Sequence, residues 1–167
     1  MLKTILNHEG SSSPYSVWFV VSVSVLVLLL STGTCTSSED CRIIFVSGIT
    51  FPRYDPLLPG PVTGNGSFIV KCLVSAHGEV SLSAGSSGDF GQRSMKGDGG
   101  DILLYNLYGD TSRTTPWGDG KQDTYAASFA FGEGGGSKQF FVYGSIPEKQ
   151  NVGSQSFAEE LTITVDW

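Results

Sequence analysis

From Cys41 to the end of the chain, apolar and polar residues alternate in short runs separated by Gly, Pro, Asn and Asp. Residues 42–46 and 49–51 predict a first strand, interrupted at Gly48. Pro52, Pro56, Pro59 and Pro61 then impose a loop, because proline lacks the N–H that a ladder needs. Residues 67–74 predict a second strand with two distinct faces, and residues 80–84 a third, polar at every other position. A glycine-rich passage over 85–100 follows, in which Phe90 and Met95 are the residues able to pin it to a core. Strands are expected again over 102–108, 124–131, 140–144 and 157–167. Outside the N-terminal apolar run, nothing shows helical spacing of apolar residues over ten or more positions. Short runs rich in Val, Ile, Phe and Tyr at near-regular intervals predict an all-β sandwich.

The final run carries extra information. Leu161, Ile163, Val165 and Trp167 alternate with Thr162, Thr164 and Asp166. Such a strand has one apolar face to bury and no later strand to pair with, so the sheet edge beside it stays open unless another element covers it.

The first forty residues read differently. Lys3 is followed by a polar stretch and then by fourteen uncharged residues, 17–30. A membrane-spanning helix needs about twenty apolar residues, whereas this run suits the apolar segment of a secretory signal. Ser31, Thr32 and Gly33 supply small residues for cleavage. The expected organisation is therefore a signal peptide over 1–33, a short polar segment over 34–40 and one domain over 41–167, with no stable membrane insertion after cleavage. A retained N-terminal anchor is the alternative. A lipoprotein signal at Cys35 fits poorly, because Thr34 and Thr32 stand where a small and an aliphatic residue are required.

Charge and composition narrow the function. The 22 glycines follow no collagen-like period, and the net charge of −6 comes with scattered single Lys and Arg residues. A nucleic-acid partner requires clustered basic residues and is excluded on this ground. In an exported chain two of the three cysteines are expected to pair; Cys41 and Cys72 are favoured because each lies in or beside a strand-like run. His8 and His77 have no metal-ligand spacing to the cysteines, so no zinc site is expected. Residues 96–101 and 118–123 suggest calcium loops but lack the full ligand spacing, and Asp and Gly are common turn residues. No Gly-x-Ser-x-Gly elbow or His-Glu-x-x-His pair occurs. Glu159 and Glu160 fall on opposite faces of the last strand and make a poor acid–base pair. Trp117, Tyr105 and Tyr108 suit a core better than a sugar-binding patch. The expectation is a non-enzyme without cofactor or metal.

One longer motif is specific. Residues 104–120, LYNLYGDTSRTTPWGDG, closely resemble the central motif of the spore coat protein U domain family, which includes subunits of archaic chaperone–usher pili. Cys41 followed by GITFPRYDP at 48–56, VYGSIP at 142–147 with Gln150, and the terminal LTITV at 161–165 agree with it. The resemblance covers residues 40–167. It implies an incomplete immunoglobulin-like sandwich that lacks its last strand, with a disulfide between the first two strands. It also implies a groove lined by the first and last strands, here Ile43, Phe45, Leu161, Ile163, Val165 and Trp167. In such pilins a periplasmic chaperone fills the groove first and a neighbouring subunit later, at an outer-membrane usher, by strand addition. The implied product is a structural or adhesive subunit carried through the periplasm to a surface fibre. After cleavage at Gly33 only seven polar residues, 34–40, precede Cys41; these have no apolar knobs, so this subunit is expected to accept a strand and donate none, as at a fibre tip. The alternatives are a stand-alone secreted coat or matrix protein and a carbohydrate-binding module.

Overall fold

The computed structural model describes the backbone of residues 3–6 and, with side chains, residues 40–167 apart from Gln155. Its spine is a long antiparallel pair, β3 (Val62–Cys72) and β8 (Gly136–Ile146), which run in unbroken register from Val62 opposite Ile146 to Cys72 opposite Gly136. Successive residues of β3 alternate inward and outward, so Phe68, Val70 and Cys72 are buried while Ser67, Ile69 and Lys71 face out.

Around that spine the described strands form two sheets. The larger has the order β2 (Cys41–Thr50), β3, β8, β6 (Ile102–Tyr108), β5 (Arg93–Gly97) and β9 (Phe157–Ala158). The smaller has β1 (Lys3–Leu6), β10 (Glu160–Asp166), β4 (Ala76–Leu82) and β7 (Ala127–Phe131). A 3-10 turn at Gly85–Ser87 is the helical element among the described residues. The arrangement is an all-β, immunoglobulin-like sandwich of the pilin type, in which no strand follows β10 among the described residues and the outer edge of β10 is lined by β1. One apolar core joins both sheets: Phe68, Val70, Leu107 and Val142 meet Val80, Leu82, Phe129, Leu161 and Ile163. Trp117 lies in its middle at 1% exposure, with ring centroids 5.8 Å from Phe68 and 6.3 Å from Phe140, and its indole N–H donates to the Val80 carbonyl at 3.0 Å. Tyr105 is buried as well, so neither aromatic is part of a surface patch.

Three expectations change in detail. Residues 85–100 contain strand β5, whose inward positions are Arg93, Met95 and Gly97, so apolar periodicity alone does not reveal it. β3 begins at Val62 and includes Gly64 and Gly66, which read as turn punctuation in the sequence. The reason is local: the Phe51 ring lies over Gly64 and its cross-strand partner Gly144, and a Cβ at either glycine would overlap that ring. β7 starts at Ala127 rather than at 124.

Two polar side chains complete the ladder where strands end. Gln150 presents its amide to β6 as a strand would: Oε1 accepts from Leu104 N at 2.7 Å and Nε2 donates to Leu104 O at 2.9 Å. Asp101 accepts from Ser154 Oγ, Gly153 N and Ser154 N, bonds that hold its carboxyl below the usual carboxylate range.

Candidate strand-acceptor groove

β2 is at the margin of the larger sheet, and in the smaller sheet β10 lies between β4 and the marginal β1, which approaches β2. The facing side chains of β2 and β10 define the groove. On the β10 wall Leu161, Ile163 and Val165 are all buried, since the strand puts every second residue inward. Trp167 lies beyond the strand end and is 41% exposed.

The β2 wall differs from the simple alternation. Ile43 faces Val70, on the inner face. A register shift between Ile43 and Phe45 then sets Phe45 opposite Ile69, on the outer face, and brings Val46 opposite Phe68 instead. Phe45 is 51% exposed and does not line the groove. A second shift between Ser47 and Thr50 turns Ile49 inward, where it is buried. Such bulges insert an extra residue and exchange the two faces of a strand. The inward residues of β2 are thus Ile43, Val46 and Ile49, of which Val46 and Ile49 line the cleft, and the sequence offers no signal for the shift except the glycine at 48. Between the walls a small apolar cleft remains, with Val46 and Ile49 on one side, Leu161 and Ile163 on the other, and Phe68, Leu107 and Val142 at its floor.

Cys41 and Cys72 are joined by a disulfide, with both residues fully buried and directly opposite in the β2–β3 pair. The bond fixes the start of the β2 wall to the spine. Cys35 and the expected signal peptide lie outside the described residues, except for Lys3–Leu6. Those four residues pair in parallel with Glu160–Ile163 along the outer edge of β10 and approach β2, so the space between β2 and β10 is wide enough for one strand.

Beneath β10 lies a buried polar cluster that the sequence did not announce. Glu159 shares the inward parity of Leu161 and Ile163 and is 7% exposed. Its carboxylate accepts from Ser86 N at 2.6 Å, Ser86 Oγ at 2.9 Å and the Tyr105 hydroxyl. Burial, reinforced by that bond, pushes the Tyr105 hydroxyl far above its ordinary pKa. Arg93 is wholly buried; burial lowers its pKa, against the attraction of Tyr105 and Glu159. Its guanidinium donates to Ser83 O at 3.0 and 2.9 Å, to Trp117 O at 2.5 Å and to Asn106 Oδ1 at 2.7 Å. Among the described residues no group of three or more His, Cys, Asp or Glu is placed to hold a metal, and no helix is long and apolar enough to cross a membrane.

A two-sheet sandwich whose final strand is flanked on its outer edge only by the short β1 defines a class of domain. Comparison with known families gives the membership: the Spore Coat Protein U domain model matches residues 21–164, and the chain belongs to that family. It is 28% identical over 129 residues to Protein U of Myxococcus xanthus, covering 70% of each chain. Its fold is similar, at a TM-score of 0.54 and 22% identity, to a chain in the crystal structure of the CsuC–CsuE chaperone–tip adhesion subunit pre-assembly complex from archaic chaperone-usher Csu pili of Acinetobacter baumannii. That match covers 77% of this chain but spans only 40% of the solved one.

Proposed function

We propose that this chain is an exported structural or adhesive subunit of a chaperone–usher surface fibre, completed by a β-strand that another polypeptide adds along β10. The observation that carries the reading is the apolar cleft between Val46–Ile49 and Leu161–Ile163, beside the edge of β10 along which the N-terminal β1 lies as an added strand would. Main-chain bonds to β10 would supply affinity, and alternate apolar side chains of the incoming strand would fill the cleft. The fold shared with a chain of a chaperone–subunit complex supports a periplasmic chaperone as the first partner, with an usher and neighbouring subunits after it. In this reading 1–33 is removed on export, taking β1 with it, and the short polar segment 34–40 leaves a subunit that accepts a strand without donating one.

The family match favours a second reading on one point. It begins at residue 21, within the apolar run 17–30. If part of that run is retained, the subunit has an apolar segment to donate and belongs within a fibre rather than at its tip. Mass spectrometry of the mature N-terminus separates the two: a start at 34 supports the acceptor-only subunit, and a start at or before residue 21 overturns it.

The acceptor function itself is tested by fusing an alternating apolar strand to the C-terminus of residues 34–167. Each large aliphatic side chain newly buried contributes about 1.5–3 kcal/mol, so the fusion is expected to gain several kcal/mol in denaturant unfolding over the unfused chain. Cooperative unfolding of the unfused chain at the same midpoint would refute strand addition and leave a stand-alone coat protein.

A further inference from the structure

We propose that an open depression walled by residues 88–91 and 116–124 binds a sugar ring that carries no acidic group, which gives the adhesive role proposed above a receptor class. The depression measures about 490 Å³, within the range of roughly 300–1,000 Å³ that small-molecule sites occupy. Phe90 and Pro116 supply its apolar surface, and Asp89, Gln122, Asp123 and Thr124 supply its polar one. None of these residues belongs to β2, to β10 or to the cleft between them.

The Phe90 wall is held from inside the core. The Asn106 amide donates to the carbonyls of Phe90 and Gly91 at 2.9 and 2.7 Å. Asn106 Oδ1 accepts from the wholly buried Arg93 guanidinium at 2.7 Å, and Arg93 Cζ stands over the Phe90 ring, 5.5 Å from its centre. A guanidinium taken out of water loses much solvation energy, and apolar residues of equal volume often serve a core as well. What this pair adds is position: it fixes the backbone of 90–91 and covers one face of a ring that is only half-buried. The other wall is a short loop closed on itself. Thr124 Oγ1 donates to Lys121 O at 2.7 Å and accepts from Gly120 N at 3.0 Å, and Asp119 Oδ1 accepts from Lys121 N at 3.0 Å. Gln122 and Asp123 stand at its apex, both exposed, at φ 48° and 64°. That backbone region is unfavourable for residues with a side chain. Neither side chain forms a hydrogen bond with the described residues.

The chemistry of the lining selects the ligand. A pyranose has a face of C–H bonds, which packs on an aromatic ring, and a rim of hydroxyls, which bond planar carboxylates and amides. The depression offers one fixed ring, the free amide of Gln122 and the free carboxylate of Asp123. Asp89 spends Oδ1 on Gly91 N at 2.7 Å and keeps its other oxygen. The lining has no basic side chain, so nothing in it attracts an anion. A calcium ion needs six or more converging oxygens, and among the described residues no three metal-binding side chains converge.

Saturation-transfer NMR on the full chain, residues 1–167, tests the site with the methyl glycosides of glucose, galactose, mannose and glucosamine. At least one of them is expected to receive saturation, strongest on its C–H face. The double variant Gln122→Ala, Asp123→Ala and the single variant Phe90→Leu are each expected to weaken that glycoside about tenfold, the scale of losing bonds to a charged group or a ring contact. The apex side chains hold nothing else in place, so the double variant gives its answer whatever Phe90→Leu does to stability. Transfer to none of the four glycosides, or equal transfer in the parent and the double variant, overturns the site. The strand-fusion experiment reads β10 and the cleft, which these variants leave intact, so either proposal can fail without the other.

Discussion

Trp117→Ala is expected to lower the stability of the domain by about 3–5 kcal/mol, the range for truncating a large buried aromatic. Trp117 is 1% exposed and packs against Phe68, Phe140 and Tyr125, so its truncation leaves a cavity in the middle of the core. The indole N–H also donates to the Val80 carbonyl, which would lose that bond. Trp117→Phe separates the two contributions, because it restores most of the ring volume and none of the bond. Denaturant midpoints at constant slope give both numbers; a loss below about 1 kcal/mol for Trp117→Ala would show that the site collapses around the smaller residue.

The second large effect concerns Cys41 and Cys72. The two are 31 residues apart in sequence, and the chain-entropy relation gives roughly 3–4 kcal/mol for closing a loop of that size. The double variant Cys41→Ala, Cys72→Ala is expected to lose about that much in equilibrium unfolding. Both cysteines are buried, so reduction of the parent should require prior opening and proceed slowly in native buffer compared with denaturant. Equal midpoints for the parent and the double variant would contradict the entropic account.

Much of this architecture is visible in the chain because inward-facing residues of most strands are apolar. Leu161, Ile163 and Val165 show their face at once, as do Phe68 and Val70. The exceptions are places where the core is not apolar or the alternation is broken. β5 turns Arg93 and Gly97 inward, so only Met95 marks its buried side. Glu159 stands in phase with the apolar face of the last strand, and that phase was the available sign that a carboxylate goes inside. Its partners come from Tyr105 and Ser86, far away in sequence, and spacing does not supply them. At the groove, a bulge after Ile43 exchanges Phe45 for Val46. Bulges follow from strand twist and from the demands of the partner strand, neither of which is written in a local pattern.

The ring of Phe51, laid across Gly64 and Gly144, joins three positions that are distant along the chain into one steric unit. A methyl group gained at Gly144 meets the Phe51 ring alone and calls for a smaller residue at 51, whereas one gained at Gly64 also meets the Thr50 carbonyl and finds no relief from a change at 51. An aromatic at 51 therefore demands glycine at 144, and the freedom to change either residue is gained only by changing both.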